Sequence, residues 1–377
     1  MFFKNITGQK EIKQKLIQGV REQRISHAQL FTGEESFGGL PLIIAYAQFL
    51  LCENPSKFDE GDSCGDCSAC KKVSRIIHPD VHFVFPVVRT DKFKQPVSDN
   101  YIEKWREKIA ENAYFSLNQW LDFIGTGNQQ GSIYAHENDE IIKKLSYKSF
   151  ESEYKIMIIW MAEKMNATLA NKLLKIFEEP YPKTLFLLLA ADTDSMLPTI
   201  LSRMQLIKLM RIPERDIYES LQKSGAADES TIRDAVRISH GSYINALEAL
   251  KSSEHINSNF EQFTQLMRLC YQRNVPGILS WAEEIAKTGR EHQKDFLSYA
   301  LRMIRANFML NNTQEDITAL TQQEMEFSKK FHPYIHENNV EKINDELNKA
   351  YYHIERNANH KILFTDLSFK LAGLLKV

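Results

Sequence analysis

No excess of charge of either sign marks this chain. Its 47 Lys and Arg stand against 49 Asp and Glu, a formal net charge of −2. That balance excludes a global basic field of the kind that draws nucleic acid, so any DNA contact must come from a local patch or a partner subunit. Long apolar runs are also lacking. The longest, Leu40 to Cys52, is broken by Gln48 and has the length of a buried helix rather than a membrane span. The opening MFFKNITGQK holds no long apolar signal core, and the expectation is a cytoplasmic protein without membrane contact. Cysteine is scarce at five in 377 residues, and close spacing in a reduced chain favours a metal over disulfides. What is present is ordinary for a globular protein with sizeable cores. The chain is 43% hydrophobic and 25% charged, and its length predicts two or three domains.

The stretch QLFTGEESFGGLPLIIAYAQ, residues 29–48, has the outline of a phosphate-binding loop: a strand start, a glycine-bounded turn, then an apolar helix. Gly33 and Gly38 have the spacing of the two glycines in G-x-x-x-x-G-K-[ST]. Gly39 and Leu40 then stand where the lysine and the magnesium-binding hydroxyl belong. The turn is kept while its charge and its metal ligand are gone.

Three of the cysteines, Cys64, Cys67 and Cys70, fall in CGDCSAC, and Cys52 lies a short way before them. C-x₂-C-x₂-C supplies three thiolates from a tight knuckle, and a tetrahedral zinc needs a fourth ligand. Cys52 is the natural fourth and His78 the competing one. A set with four sulfurs and no His-Glu pairing predicts a structural zinc rather than a catalytic one. Cys270, in FTQLMRLCY, reads as a buried core thiol.

Taken in order, a helix carrying Ile12, Leu16 and Ile17 precedes the strand at 29–32, the glycine turn and the helix of residues 40–51. From Pro86 to Gly131, the spacing of Ile102, Trp105 and Ile109 predicts a helix over 99–111. Tyr114, Phe115, Trp120 and Phe123 follow, predicting a small satellite core or rings that stack on bases. GTGNQQG, 125–131, reads as a flexible loop. KIMII (155–159) and TLFLLLA (184–190) read as buried parallel strands, with QLIKL (205–209) a third. Between the first two, Asn166 caps the helix ATLANKLLKIFEE and Pro180 stops it. Alternating strand and helix argue for a parallel sheet with helices on both faces. Past residue 211 the pattern is all helical. KSSEHINSN, 251–259, reads as a linker. Beyond it, two amphipathic helices carry Leu297, Leu301, Ile304 and Phe308, and Ile343, Leu347, Tyr351 and Ile354. ILFTDLSFKLAGLL is apolar enough to pack on several sides.

Together, SHAQLFTGEESFGG, CGDCSAC, HPDVHFV, KIMIIWMAEKMNATLANKLLKIFEEP and LPTILSR resemble the bacterial clamp-loader subunits over most of residues 1–250. ERNANHKILFTDL carries a weaker likeness further on. The resemblance implies an AAA+ module followed by an all-α collar. Residues 1–210 would be an α/β core with a zinc knuckle (52–70) and an insertion (about 86–131), 211–253 a helical lid, and 258–377 the oligomerising collar. In the family's ATPase subunits, an Asp-Glu pair ends the strand that here ends at Trp160 and Met161, and neither of these coordinates a hard cation. A phosphate-contacting arginine of the lid corresponds to Ile244 in GSYIN. One charged element survives. Ser202-Arg203 matches the family's Ser-Arg-Cys motif, with Met204 for the cysteine, and the resemblance implies that Arg203 reaches into a neighbour's ATP site as an arginine finger.

The resemblance thus implies a non-hydrolysing stator of the DNA polymerase III holoenzyme. Its partners would be the loader's ATPase subunits, the clamp-opening subunit and, through the assembly, the sliding clamp and primer-template DNA. Nothing resembles a polymerase active site. Two other readings stay open: an atypical active AAA+ ATPase, and a nucleic-acid-binding module built on the knuckle and residues 86–131. His27, His78 and Asp80 are expected to serve folding.

Overall fold

The structure, a computed structural model, describes residues 1–54, 56–125, 129–225, 227–251, 253–312, 320–356 and 358–375. The chain divides into two compact units, Met1–Ser220 with Gly241–Ile244, and Leu221–His240 with Asn245–Val377.

The first unit begins with α1 (Lys10–Arg21), β1 (Ala28–Thr32) and α2 (Gly39–Leu51). The short helices α3 (Lys57–Glu60) and α4 (Ser68–Ser74) carry the cysteine knuckle, and β2 (Val81–Val84) follows. Three helices, α5 (Ile102–Glu111), α6 (Leu117–Phe123) and α7 (Glu137–Ser146), lead to β3 (Lys155–Trp160). The rest is α8 (Ala167–Glu178), β4 (Thr184–Ala190), α9 (Pro198–Leu201) and β5 (Gln205–Lys208). The strands form one sheet in the order β2-β3-β4-β1-β5, every pair parallel. This is the α/β layer that the AAA+ resemblance implies. Strand β2 is an addition to the sequence reading. Four residues are too few for an alternating pattern to stand out.

The two central strands read as apolar runs because both faces of the sheet are covered. Leu185, Leu187 and Leu189 of β4 join one core with Ile43, Phe49, Ile156 and Ile158, while Phe186, Leu188 and Ala190 join the other with Leu145, Leu169, Leu173 and Phe177. All seven residues of β4 are buried. Truncating one of its leucines to alanine should destabilise the unit by about 2–5 kcal/mol. Helix α8 starts where Asn166 Oδ1 accepts the Thr168 N–H at 2.7 Å and ends just before Pro180.

The aromatic segment departs from its expected form. Rather than a satellite cluster, Trp105, Phe115 and Trp120 extend the main core under β2 and β3. Trp105 stacks on Phe85 at 4.1 Å between ring centroids and lies 5.0 Å from Trp120 and 5.2 Å from Trp160. Both tryptophans of the segment are completely buried, and the Trp120 indole N–H donates to Pro86 O at 2.9 Å. Contacts between residues so distant in sequence leave no periodicity to read. Of the expected loop 125–131, residues 126–128 lie outside the described residues.

The second unit is helical. Its core gathers Phe263, Trp281, Phe296, Leu297, Ile304, Ile343, Leu347, Ile354, Phe364 and Leu371. Cys270 lies in this core, its thiol donating to Ser368 O at 3.3 Å. KSSEHINSN, read as a linker, falls largely within the helix Ser253–Gln272, since polar residues without Pro or Gly carry no helix stop. The last helix, His360–Leu374, packs against the helices Ser253–Gln272, Val275–Ala286 and Glu337–Glu355, while Ile362 and Phe369 stay exposed. Among the described residues, no helix is long and apolar enough to cross a membrane.

Candidate functional site

The glycine turn lies at the C-terminal end of β1, between β4 and β5, where parallel α/β sheets place their ligands. Gly38 stands in the left-handed region at φ 76°, a conformation that favours glycine, and caps α2. The start of α2 is buried: Gly38, Gly39, Leu40 and Pro41 are all enclosed. A β-carbon on Gly39 would lie 2.5 Å from Leu189 Cδ1 and 2.8 Å from Leu209 Cδ1, so a lysine here would have to push two packed leucine side chains aside. Pro41, third in the helix, has no N–H to offer a phosphate. The proline is visible in the sequence itself, one residue beyond Leu40.

Other groups close the turn. Gln9 donates through Nε2 to Phe37 O at 3.1 Å and accepts the Met210 N–H at 3.1 Å, tying the loop to the end of β5. Glu35 Oε2 accepts the Leu117 N–H at 2.6 Å, and burial pushes the Glu35 carboxyl above its usual range. Trp160 and Met161, at the positions of the acidic pair, are each 2% exposed. Trp160 faces the aromatic core, 5.3 Å from the Phe115 ring. Met161 sits at φ 58°, opening a tight turn in which Lys164 N–H donates to Met161 O at 2.8 Å. The next acid, Glu163, uses Oε1 to accept the Ala191 N–H at 3.1 Å while Oε2 is buried without a partner. Burial raises its carboxyl as well. Ile244 is buried, and Tyr243 beside it packs its ring 4.5 Å from that of Tyr114.

Arg203 follows α9 in the turn leading to β5. Buried Ile200 and Met204 anchor the turn on either side. The guanidinium pairs with Glu178 at the end of α8, with Nε donating to Glu178 Oε1 at 2.7 Å and Nη1 donating to Thr199 O at 2.7 Å. Ser202 Oγ donates to Thr199 O at 3.1 Å and accepts from Arg203 Nη1 at 3.2 Å. The surface therefore holds Arg203 in a local clamp, with about a third of its side chain exposed. Sequence reasoning gave no sign of Glu178 as its partner.

The four cysteines converge as expected. Cys52 ends α2, Cys67 caps α4 and Cys70 lies within α4, so two helix ends and the loop carrying Cys64 aim four thiols at one point. Their sulfurs all lie within 4.8 Å of one another. A tetrahedron of thiolates around zinc, with Zn–S of about 2.3 Å, has sulfurs about 3.8 Å apart, so the donor set fits the ion. Backbone N–H groups of Cys64 and Cys70 donate to Cys52 Sγ and Cys67 Sγ, both at 3.4 Å, which suits sulfur that carries negative charge. Lys57 Nζ reaches Cys52 O at 2.7 Å and Phe49 O at 3.1 Å, closing the end of α2 beside the cluster.

His78, the competing ligand, is committed elsewhere. Its Nδ1 accepts the Asp80 N–H at 3.1 Å and its Nε2 lies 3.1 Å from Ser152 Oγ. Asp80 in turn accepts three backbone N–H groups, from Phe150 at 2.5 Å and from Glu151 and Ser152 at 2.9 Å. His27 meets Phe177 O at 2.9 Å. His78 and Asp80 thus tie the segment before β2 to residues 150–152, and His27 ties the segment before β1 to α8.

A family model described as "DNA polymerase III, delta subunit" matches residues 8–213, more than half of the chain. The chain is 27% identical to DNA polymerase III subunit delta' of Haemophilus influenzae over 251 residues, 66% of this chain and 62% of that protein. It is 25% identical to DNA polymerase III subunit gamma of Buchnera aphidicola over 276 residues, 71% of this chain and 64% of that protein. These matches span about six-tenths of the relatives' own length. Among solved structures, a DNA polymerase III gamma subunit-related protein from Thermotoga maritima aligns over 97% of this chain and 99% of its own, with a TM-score of 0.40 and 13% identity.

Proposed function

The chain belongs to the DNA polymerase III delta-subunit family, and from that premise we propose that it is a delta-prime-like, non-hydrolysing subunit of a bacterial clamp loader. In this reading it stands in a ring of subunits as a stator. Its C-terminal helices join the collar, and the assembly opens a sliding clamp and sets it on primed DNA. The glycine turn takes no part in phosphoryl transfer, and Arg203 completes the ATP site of a neighbouring subunit.

The observation that carries this reading is the burial of uncharged residues from Gly38 through Pro41, where the turn enters α2. Phosphoryl transfer depends on positioning and charge stabilisation, and catalysis needs a cation and a metal held at the phosphates. Gly39, Leu40, Trp160, Met161 and Ile244 offer no charge, and each is buried. Arg203, by contrast, lies at the surface with its charge intact. It is held by an exposed ion pair, an interaction of roughly 0–1 kcal/mol that a better partner can displace. The zinc that the four cysteines would hold supplies a structural cross-link between α2 and the knuckle.

An active ATPase, the first competing reading, lacks an acid at the positions of Trp160 and Met161, and the next acid, Glu163, already accepts the Ala191 N–H at 3.1 Å. Stacking on nucleic acid, the second, needs exposed rings, whereas Trp105 and Trp120 are fully buried. A titration of the isolated chain with a fluorescent ATP analogue should give no saturable binding. Robust ATP turnover, abolished by a change within residues 33–40, would sink the stator reading.

A further inference from the structure

The aromatic insertion has so far been only a contributor to the core, yet one end of it enters the glycine turn. Phosphates held by such a turn sit against the N–H groups of its last residues and of the first helical turn. In this chain that place is taken. A β-carbon on Gly38 would lie 2.8 Å from Tyr114 Cε1, so the ring of Tyr114 covers the glycine directly. Two residues beyond the neighbouring Phe115, the first N–H of α6 donates to Glu35 Oε2, placing a carboxylate of the turn itself at a helix N-terminus. A phosphate entering there would have to displace that carboxyl from the Leu117 N–H.

Tyr114 also reaches across. Its hydroxyl accepts the Thr7 N–H at 2.8 Å, and its ring packs on Tyr243 at 4.5 Å. The Tyr243 hydroxyl meets Ser220 Oγ at 3.0 Å, and Thr7 Oγ1 donates to that same Ser220 Oγ at 3.0 Å. One side chain thus joins the glycine turn, the segment before α1 and the GSYIN segment. The turn and GSYIN are the two stretches whose counterparts share contacts to one nucleotide in the resembled ATPases.

We infer that residues 112–117 are an internal stand-in for the nucleotide, with Tyr114 as the positioning residue that holds the glycine turn to the GSYIN segment without any ligand. This rests on the reading of the turn as one that takes no nucleotide. It gives the insertion a purpose. An ATPase module gains that junction from bound nucleotide, whereas this one makes it with a side chain of its own and keeps one arrangement at every nucleotide concentration. The hydroxyl matters because a phenylalanine would cover Gly38 equally well while leaving the Thr7 N–H unanswered.

Hydrogen exchange of the full-length chain, with and without magnesium-ATP, tests this. Tyr114→Ala should raise exchange in residues 33–40 and 241–244 by about tenfold or more, the factor that corresponds to about 1.4 kcal/mol, while β3 and β4 keep their protection. Tyr114→Leu, which keeps most of the apolar volume, carries the same expectation should the alanine variant not fold. Tyr114→Phe should restore protection in both segments and leave only the Thr7 amide faster. Unchanged exchange at 33–40 and 241–244 in the alanine or leucine variant overturns the stand-in. A rise spread evenly over the sheet does so too, since it marks an ordinary core residue. Protection of residues 33–40 by ATP in the unaltered protein would instead overturn the no-nucleotide reading on which the inference rests.

Discussion

Glu178→Gln asks whether the clamp on Arg203 competes with its proposed partner or serves it. Arg203 donates to Glu178 Oε1 at 2.7 Å and to Thr199 O at 2.7 Å, with side chains of the ion pair 34% and 47% exposed. A pair so exposed contributes about 0.2–1 kcal/mol, screened further by salt. Removing the charge of Glu178 should therefore lower the stability of the chain by less than about 1 kcal/mol in urea unfolding. It should also make Arg203 at most about fivefold more available, since about 1.4 kcal/mol is a factor of ten. Loss of an arginine finger, in contrast, removes roughly 10³–10⁵ in turnover. The two effects differ in sign and by orders of magnitude. A loader assembled with Glu178→Gln should turn over ATP at the normal rate or up to about five times faster, with the difference shrinking at high salt. A loss comparable to that of Arg203→Ala would refute the reasoning, because Glu178 would then be holding the guanidinium in its working position.

Two further outcomes follow from buried groups. Metal analysis should find about one zinc per chain, lost on Cys67→Ser and released on acidification as the thiolates protonate; a folded, metal-free native chain would contradict the site. Glu137 is fully buried, accepts the Ser98 N–H at 2.9 Å, and burial pushes its carboxyl up to about 7. A raised carboxyl means that the folded chain holds a proton the unfolded chain has released. Stability from this group is thus greatest below about pH 4.5 and falls as pH rises toward about 7. Glu137→Gln should flatten that slope and raise stability at pH 8 by roughly 2 kcal/mol; an unchanged slope would show that other groups carry it.

Much of the architecture was legible because it rests on local pattern. The apolar runs at 155–159 and 184–190 read as covered strands, and Asn166 and Pro180 bounded the helix between them. The cysteine set was legible for the same reason, since C-x₂-C-x₂-C places three thiols on one knuckle whatever surrounds it. What escaped were contacts between distant stretches. Tyr114 over Gly38, Glu178 against Arg203 and Trp160 inside the aromatic core each join residues that no period or motif relates. The edge strand β2 was too short to declare itself, and His78 looked like a zinc ligand because only the fold shows its bonds to Asp80 and Ser152. Pro41 is the instructive miss, for the missing N–H was readable from the residue type alone.

In the proposed reading Arg203, about a third exposed and paired with Glu178, completes the ATP site of a neighbouring subunit. The most direct test is ATP turnover by a loader assembled from the ATPase subunits with either the unaltered chain or Arg203→Ala, with urea unfolding checked to show equal stability. The alanine variant should assemble normally, and turnover at the neighbouring site should fall by about a thousandfold or more. Equal turnover with the two chains would contradict that role.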